Sequence, residues 1–217
     1  RVTGQFLTAK AFVKQTWNNG FDEKGRPSWN PEFRPKPMGG VFVEPGTQGG
    51  TNWYPPSYSP RTGLFYIPTW ENSGGRSAKW DAGEWKEGQR YTGATPPPGA
   101  VVPGAARGPV RPPANFKRED EGYGAIRALD PKTGEKKWDF KMVTYTESGV
   151  LSTGGDLVFA GGIEGNFVAL DARTGERLWH VNLGGPNASG PISYAVDGKQ
   201  YIVGTGQGSM FVFALPD

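Results

Sequence analysis

An eleven-residue pattern that occurs twice, 41 positions apart, constrains this chain more than any other feature. Ala128-Leu129-Asp130-Pro131-Lys132-Thr133-Gly134-Glu135-Lys136-Lys137-Trp138 recurs as Ala169-Leu170-Asp171-Ala172-Arg173-Thr174-Gly175-Glu176-Arg177-Leu178-Trp179. A period near 40 residues is that of one propeller blade, a four-stranded antiparallel sheet stacked on copies of itself. Each residue type in the pattern has a mechanical role. A strand closes at Ala-Leu, and the Asp accepts backbone N–H groups of the turn that it opens. Pro131 presets that turn, and Gly134 or Gly175 supplies the left-handed conformation of a bulged hairpin. The returning strand carries a Trp whose face seeks a neighbouring sheet and whose indole N–H requires an acceptor once buried. Such a Trp staples one blade to the next.

Two weaker copies obey the same grammar. Ser59-Pro60-Arg61-Thr62-Gly63-Leu64-Phe65-Tyr66 has the turn and the following strand without the Trp, and Arg1-Val2-Thr3-Gly4-Gln5-Phe6-Leu7 aligns Thr3-Gly4 with Thr133-Gly134. That alignment sets the Asp of the turn ahead of residue 1, where an unpaired partner strand would be left as an open edge. The expectation is a fragment or a nicked chain that another polypeptide segment completes.

Composition agrees with many short elements. Only 35% of the 217 residues are hydrophobic, against 34 Gly and 20 Pro, which disfavours long helices. Eight Trp, eight Tyr and twelve Phe argue for a folded chain, since disordered segments are poor in aromatics. The last 67 residues predict strands at 156–160, 166–170, 177–182, 191–195, 200–204 and 210–214, with Gly, Asp and Asn between them. Residues 71–117, which contain Pro96-Pro97-Pro98, read as a long insertion loop between strands.

Several function classes are excluded. A net charge of +3 dispersed over both signs does not suit a nucleic-acid partner, and Arg107, Arg111, Lys117 and Arg118 lie among Pro and Gly as a solvated loop. Without Cys there is no disulfide, thiolate metal site or covalent haem in the chain. No run approaches the length needed to span a bilayer, and the opening residues do not form a signal peptide. A hydrolytic triad would need His180, the single His, which follows Trp179 on a docking strand and reads as a surface or edge residue. The glycines at 161–162 and 204–208 lack the helix and Lys of a phosphate loop and read as strand-end turns.

The repeat resembles the tryptophan-docking motif of the pyrroloquinoline quinone (PQQ) dependent alcohol and methanol dehydrogenases, which are eight-bladed propellers with the quinone on the central axis. Gly49-Gly50-Thr51-Asn52-Trp53-Tyr54-Pro55-Pro56 is similar to the family's Gly-Gly-x-Asn-Trp signature, and the opening and final segments resemble it as well. The resemblance implies an all-β fold in which residues 1–217 are the C-terminal part of one propeller domain with four-stranded antiparallel blades. It implies that Asn52 and Trp53 sit at the rim of the PQQ site. The amide of Asn52 can donate to a quinone oxygen, and Trp53 can form a flat apolar wall.

Two positions depart from the pattern. Glu147 stands where many members carry a Trp before Gly-Val-Leu, and Gly206-Gln207-Gly208-Ser209-Met210 replaces a late Trp, which leaves the cofactor floor different or open. The family's catalytic Asp, quinone-supporting Arg and metal ligands belong to upstream segments, so no catalytic or metal residue is assigned here. The reading implies an enzyme that oxidises an alcohol with PQQ and calcium or a lanthanide. Its partners would be an N-terminal propeller segment and an acceptor such as a cytochrome c, in the periplasm. Two other readings are a non-catalytic propeller scaffold of the outer-membrane assembly type, which has no use for a cofactor-facing Asn-Trp pair, and a quinoprotein acting on a sugar.

Overall fold

A computed structural model of the chain describes residues 2–36, 40–79, 81–89, 91, 122–142 and 144–216. The chain folds into β1 (Asn18–Phe21), β2 (Pro27–Trp29), β3 (Val41–Val43), β4 (Ser57–Ser59), β5 (Leu64–Glu71), β6 (Gly75–Ser77), β7 (Tyr123–Leu129) and β8 (Lys136–Lys141). It continues through β9 (Val150–Ser152), β10 (Leu157–Gly161), β11 (Asn166–Asp171), β12 (Arg177–Asn182), β13 (Ile192–Val196), β14 (Lys199–Gly206) and β15 (Ser209–Phe213). Every pairing between these strands is antiparallel. They make two four-stranded sheets, β4-β5-β7-β8 and β9-β10-β11-β12, then a three-stranded sheet, β13-β14-β15. The pairs β1-β2 and β3-β6 are small separate ribbons.

The six strands expected in the final third are present, with β10, β13 and β15 displaced by one residue, β11 one residue longer and β14 longer at both ends. The short β9, which has too few residues to show alternation, is additional. One expectation is corrected: Gly204 and Gly206 lie inside β14, and only Gln207-Gly208 turns the chain. The reason is close packing. A Cβ on Gly204 would meet the Phe167 ring at 3.1 Å, and one on Gly206 would meet Leu183 Cβ at 2.6 Å. The strands β5 and β7 are direct neighbours, so residues 72–122 connect two adjacent strands. Most of that connection, with the basic stretch at 107–118, lies outside the described residues.

The repeated turns have the geometry that their residues require. Asp130 and Asp171 each accept the N–H two residues on at 2.8 Å, from Lys132 and Arg173. Gly63, Gly134 and Gly175 take φ of 70°, 68° and 74°. In all four copies the Thr hydroxyl oxygen, of Thr3, Thr62, Thr133 and Thr174, accepts the N–H of the residue two positions later. The register slips by a bulge at Ala128/Leu129 and again at Ala169/Leu170.

The two central strands of the middle sheet, β10 and β11, are buried on both faces, which explains why they are apolar at successive positions. Val158, Ala160, Val168 and Leu170 face the first sheet, in a core with Tyr66, Ile126 and Trp138. Phe159, Phe167 and Ala169 face the third sheet, against Ile202, Phe211 and Phe213. Trp138 makes the decisive contact. It is 8% exposed, its Nε1–H donates to the Ala172 carbonyl at 3.1 Å, and its ring covers Gly175 so closely that a Cβ there would lie 2.6 Å from Cε3.

At the surface of the same joint Asp156 binds Arg61 of the preceding sheet at 2.8 Å and Arg173 at 3.1 Å. Within the first sheet, Arg127 is 3% exposed and is held by Asp139 and Glu71 at 3.0 and 2.8 Å and by the carbonyl of Phe12, which fastens the N-terminal segment.

The joint predicts a non-additive pair of substitutions. Trp138→Ala is expected to cost about 3–5 kcal/mol in urea unfolding of the chain, and Gly175→Ala at least about 1 kcal/mol, because φ is positive and the indole occupies the space. Combined, they should cost less than the sum, since removing the ring removes the clash. Strict additivity would contradict a direct Trp138–Gly175 contact.

Candidate cofactor-facing site

The loops that enter the first strand of each sheet converge at one end of the molecule. Packing of β4 against β9 brings the first strands together, with Ser57 Oγ and Ser152 Oγ 2.7 Å apart. Three glycine or proline positions permit the approach. A Cβ on Gly149 would strike Pro55 Cγ at 2.5 Å and Gly190 Cα at 2.9 Å. Backbone and hydroxyl bonds stitch the loops: Val150 N–H to Pro55 O at 2.8 Å, Ser148 Oγ–H to Ser189 O at 2.9 Å, and Thr146 Oγ1–H to Gly161 O at 2.8 Å.

Asn52 and Trp53 lie on the first of these loops, and the structure gives them different situations. The Asn52 amide is occupied locally. Its Nδ2 donates to the Gln48 carbonyl at 3.0 Å and to Gln48 Oε1 at 2.9 Å, while its Oδ1 accepts the Trp53 N–H at 2.8 Å. Asn52 thus closes the 48–53 turn. Trp53 is 72% exposed, with one ring face against Tyr54 at a centroid distance of 4.5 Å and the remainder in solvent.

Beneath Trp53 lies a cluster that sequence reasoning missed. Tyr54, Trp70 and Tyr145 pack together, with Trp70 6.0 Å from Tyr54 and 5.7 Å from Tyr145 between centroids. The Trp70 indole donates to the Thr146 carbonyl at 2.6 Å. The half-buried Glu147 stands close enough to the Tyr54 hydroxyl for its charge to act on it. Burial and then the Glu147 charge push the Tyr54 hydroxyl up to about 12. Burial first and Glu147 second also raise Tyr145. Glu147 is therefore the charged group that Tyr54 and Tyr145 share.

Asn187, on the third loop, is 1% exposed, and neither of its amide atoms has a partner among the described residues. Its signal was faint, since an Asn among Gly and Pro reads as an ordinary turn residue.

Among the described residues, no group of three or more His, Cys, Asp or Glu side chains is placed to hold a metal ion. None of their helices is long and apolar enough to cross a membrane. His180 lies exposed on the outer strand β12.

Comparison with known proteins follows the same division of the chain. Residues 11–202 match the family model described as PQQ: glucose/ethanol/alcohol dehydrogenase, beta-propeller domain. The quinoprotein alcohol dehydrogenase PedH of Pseudomonas putida is 36% identical over 210 residues, which are 93% of this chain and 32% of that protein. The 1-butanol dehydrogenase (cytochrome c) of Thauera butanivorans is 34% identical over 216 residues, 97% of this chain and 29% of the relative. The solved quinohemoprotein alcohol dehydrogenase ADHIIG of Pseudomonas putida superimposes with a TM-score of 0.70 at 28% identity, over 96% of this chain and 30% of that one. A europium-containing methanol dehydrogenase gives 0.68 at 28% identity, over 93% and 33%. The chain thus spans about a third of the length of these relatives. Its stacked sheets are part of a β-propeller, and the chain belongs to the PQQ β-propeller family of glucose, ethanol and alcohol dehydrogenases.

Proposed function

We propose that this chain is the C-terminal part of an eight-bladed PQQ-dependent dehydrogenase that oxidises an alcohol, and that it acts only together with the N-terminal blades. The observation that carries this reading is the exposed Trp53 ring, held on a buried aromatic base at the end where the first strands meet. A folded protein exposes such a face at a cost in apolar surface, and a planar conjugated ring is its natural complement. PQQ, when bound, supplies a hydride acceptor for the alcohol carbon.

The residues present fit a supporting role. Trp53 offers one wall of the pocket. Both Asn52 N–H groups are engaged with Gln48, so Asn52 keeps acceptor capacity on Oδ1 and gains a free donor when the Gln48 side chain moves. Tyr54, packed on Trp70, fixes the height of the loop. A calcium or lanthanide ion is assigned to side chains of the N-terminal blades, in keeping with the europium of one structural neighbour. Electrons would pass to an acceptor such as a cytochrome c, as one relative's name states for that protein. We place the assembled enzyme in the periplasm.

Native material containing this chain should reduce a dye on addition of an alcohol once PQQ and calcium or a lanthanide are supplied, and Trp53→Ala should weaken PQQ binding about tenfold or more without unfolding the chain. PQQ binding that is indifferent to Trp53→Ala would remove Trp53 from the site. A second prediction concerns alkaline stability. The Tyr54 hydroxyl, held at about 12 in the fold against about 10 in an unfolded chain, keeps its proton through that window while the unfolded state loses it. Stability should therefore fall from pH 10 to 12, and Tyr54→Phe should lessen that slope by one proton in denaturant titrations.

A further inference from the structure

The amide of Asn52 carries two hydrogens, and both go to one residue. Nδ2 donates to the Gln48 carbonyl oxygen at 3.0 Å and to Gln48 Oε1 at 2.9 Å, while Oδ1 accepts the Trp53 N–H. These partners fix the sense of both side-chain amides. A backbone carbonyl can only accept and a backbone N–H can only donate, so the nitrogen of Asn52 must face Gln48, and the atom that Gln48 turns toward it must be its oxygen. Gln48 Nε2, with two N–H donors, is left facing away from Asn52. Among the described residues nothing accepts from it.

The turn that carries this pair is pinned at its backbone. Gly46 N–H donates to Ser73 O at 3.1 Å, Gly49 N–H to Gly46 O at 2.9 Å and Trp70 N–H to Gly50 O at 2.9 Å, which ties residues 46–50 to the end of β5 and the segment after it. Gly49 stands at φ 81°, and a side chain on Gly50 would strike Val13. An exposed Gln ordinarily samples several rotamers, and holding one of them costs entropy. Here the bond between the two amides holds it, on the turn that also leaves the Trp53 ring in solvent. One short loop thus offers a flat apolar face and a pre-aimed pair of donors, the two elements that recognise a planar ring with a carbonyl or carboxylate oxygen on its edge.

We propose that Gln48 Nε2 is the donor through which this turn binds an edge oxygen of the quinone, and that Asn52 is the positioning residue that aims it. The inference deepens the functional reading above and rests on it. It differs from direct donation by Asn52 in what the ligand requires. Asn52 donates only after a bond to Gln48 breaks, whereas Gln48 Nε2 donates with every bond of the turn kept. The Trp53 N–H, bound to Asn52 Oδ1, holds the pair of amides in register with the residue that bears the exposed ring.

The test uses native material in which this chain is joined to the remaining propeller polypeptide, freed of quinone and titrated with PQQ by equilibrium dialysis, with calcium or a lanthanide present. Gln48→Leu should weaken PQQ binding about fivefold or more, the worth of one lost hydrogen bond. Gln48→Glu keeps the oxygen that Asn52 holds and puts a second oxygen in place of the donors. Its loss, relative to wild type at the same pH, should be larger at pH 7 than at pH 4, because a carboxyl group with an ordinary pKa of about 4.3 regains a donor on protonation. Asn52→Ala should weaken binding about as much as Gln48→Leu, and the double variant no further. Both side chains are exposed, so the melting of every variant should match that of wild type.

Unchanged or tighter PQQ binding in Gln48→Leu overturns the proposal, since freeing the Asn52 donor then costs nothing or helps. Losses that add in the double variant overturn the positioning role of Asn52. Alcohol-dependent dye reduction is read on the same samples. Quinone binding that depends on Gln48 in a protein that oxidises no alcohol sinks the enzymatic reading alone, and alcohol oxidation with quinone binding indifferent to Gln48 sinks the Gln48 donor alone. Native material that binds no PQQ overturns both.

Discussion

An antiparallel sheet with apolar side chains on both faces cannot exist by itself in water, and this constraint governs the molecule. The middle sheet has Val158, Ala160, Val168 and Leu170 on one face and Phe159, Phe167 and Ala169 on the other. Each face is covered only by a neighbouring sheet, so stability comes from stacking along a row and not from a central core. Trp138 sets the distance and angle of that stacking. Its indole donates to Ala172 in the next sheet, and its ring needs the hydrogen at Gly175 in place of a side chain. The repeat Asp-x-x-Thr-Gly is thus a turn signal and, at the same time, the socket for the preceding sheet's Trp.

The polar groups at the joints follow the same geometry. Asp156, from the second sheet, collects Arg61 across the joint and Arg173 within its own sheet, and the hydrogen bond from Arg61 leads in pulling its carboxyl below the ordinary range. These groups are exposed, so they guide the register of the two sheets more than they hold them together. Arg127 is the opposite case. Buried and bound to two carboxylates, it would leave Glu71 and Asp139 uncompensated if removed. Its contact with Phe12 O ties the otherwise exposed N-terminal segment to the first sheet.

Much of the fold was legible because local rules and packing coincide in a repeat. The turn at Asp130 could be read down to its bulge, since Asp, Thr and Gly each have one low-energy use there. Gly204 and Gly206 were misread because strand glycines chosen for close approach look like turn glycines. Only the Phe167 and Leu183 side chains, distant in sequence, reveal the difference. The site was less legible. The Gly-Gly-x-Asn-Trp segment marked Trp53, but the Tyr54–Trp70–Tyr145 base is assembled from three separate stretches with no local spacing to betray it. Glu147 was visible only as a departure from a resemblance, and its nearness to Tyr54 required the fold.

The site and the stacking joints are one construction. Trp70 of the first sheet donates to Thr146, which leads into the second sheet, and the Thr146 hydroxyl then binds Gly161 at the end of β10. Ser148 donates to Ser189 on the loop that enters the third sheet, and its oxygen accepts the Gly161 N–H at 3.0 Å. A bond path therefore runs from the aromatic base under Trp53 to Ser189, whose hydroxyl lies 2.5 Å from that of Thr205 in β14, and so links all three sheets. Displacing any sheet by the few tenths of an ångström that hydrogen bonds tolerate would be felt at the loop bearing Trp53. Loops stitched in this way gain rigidity from each docked sheet, and the Trp138 joint is for that reason part of the geometry of the loop cluster.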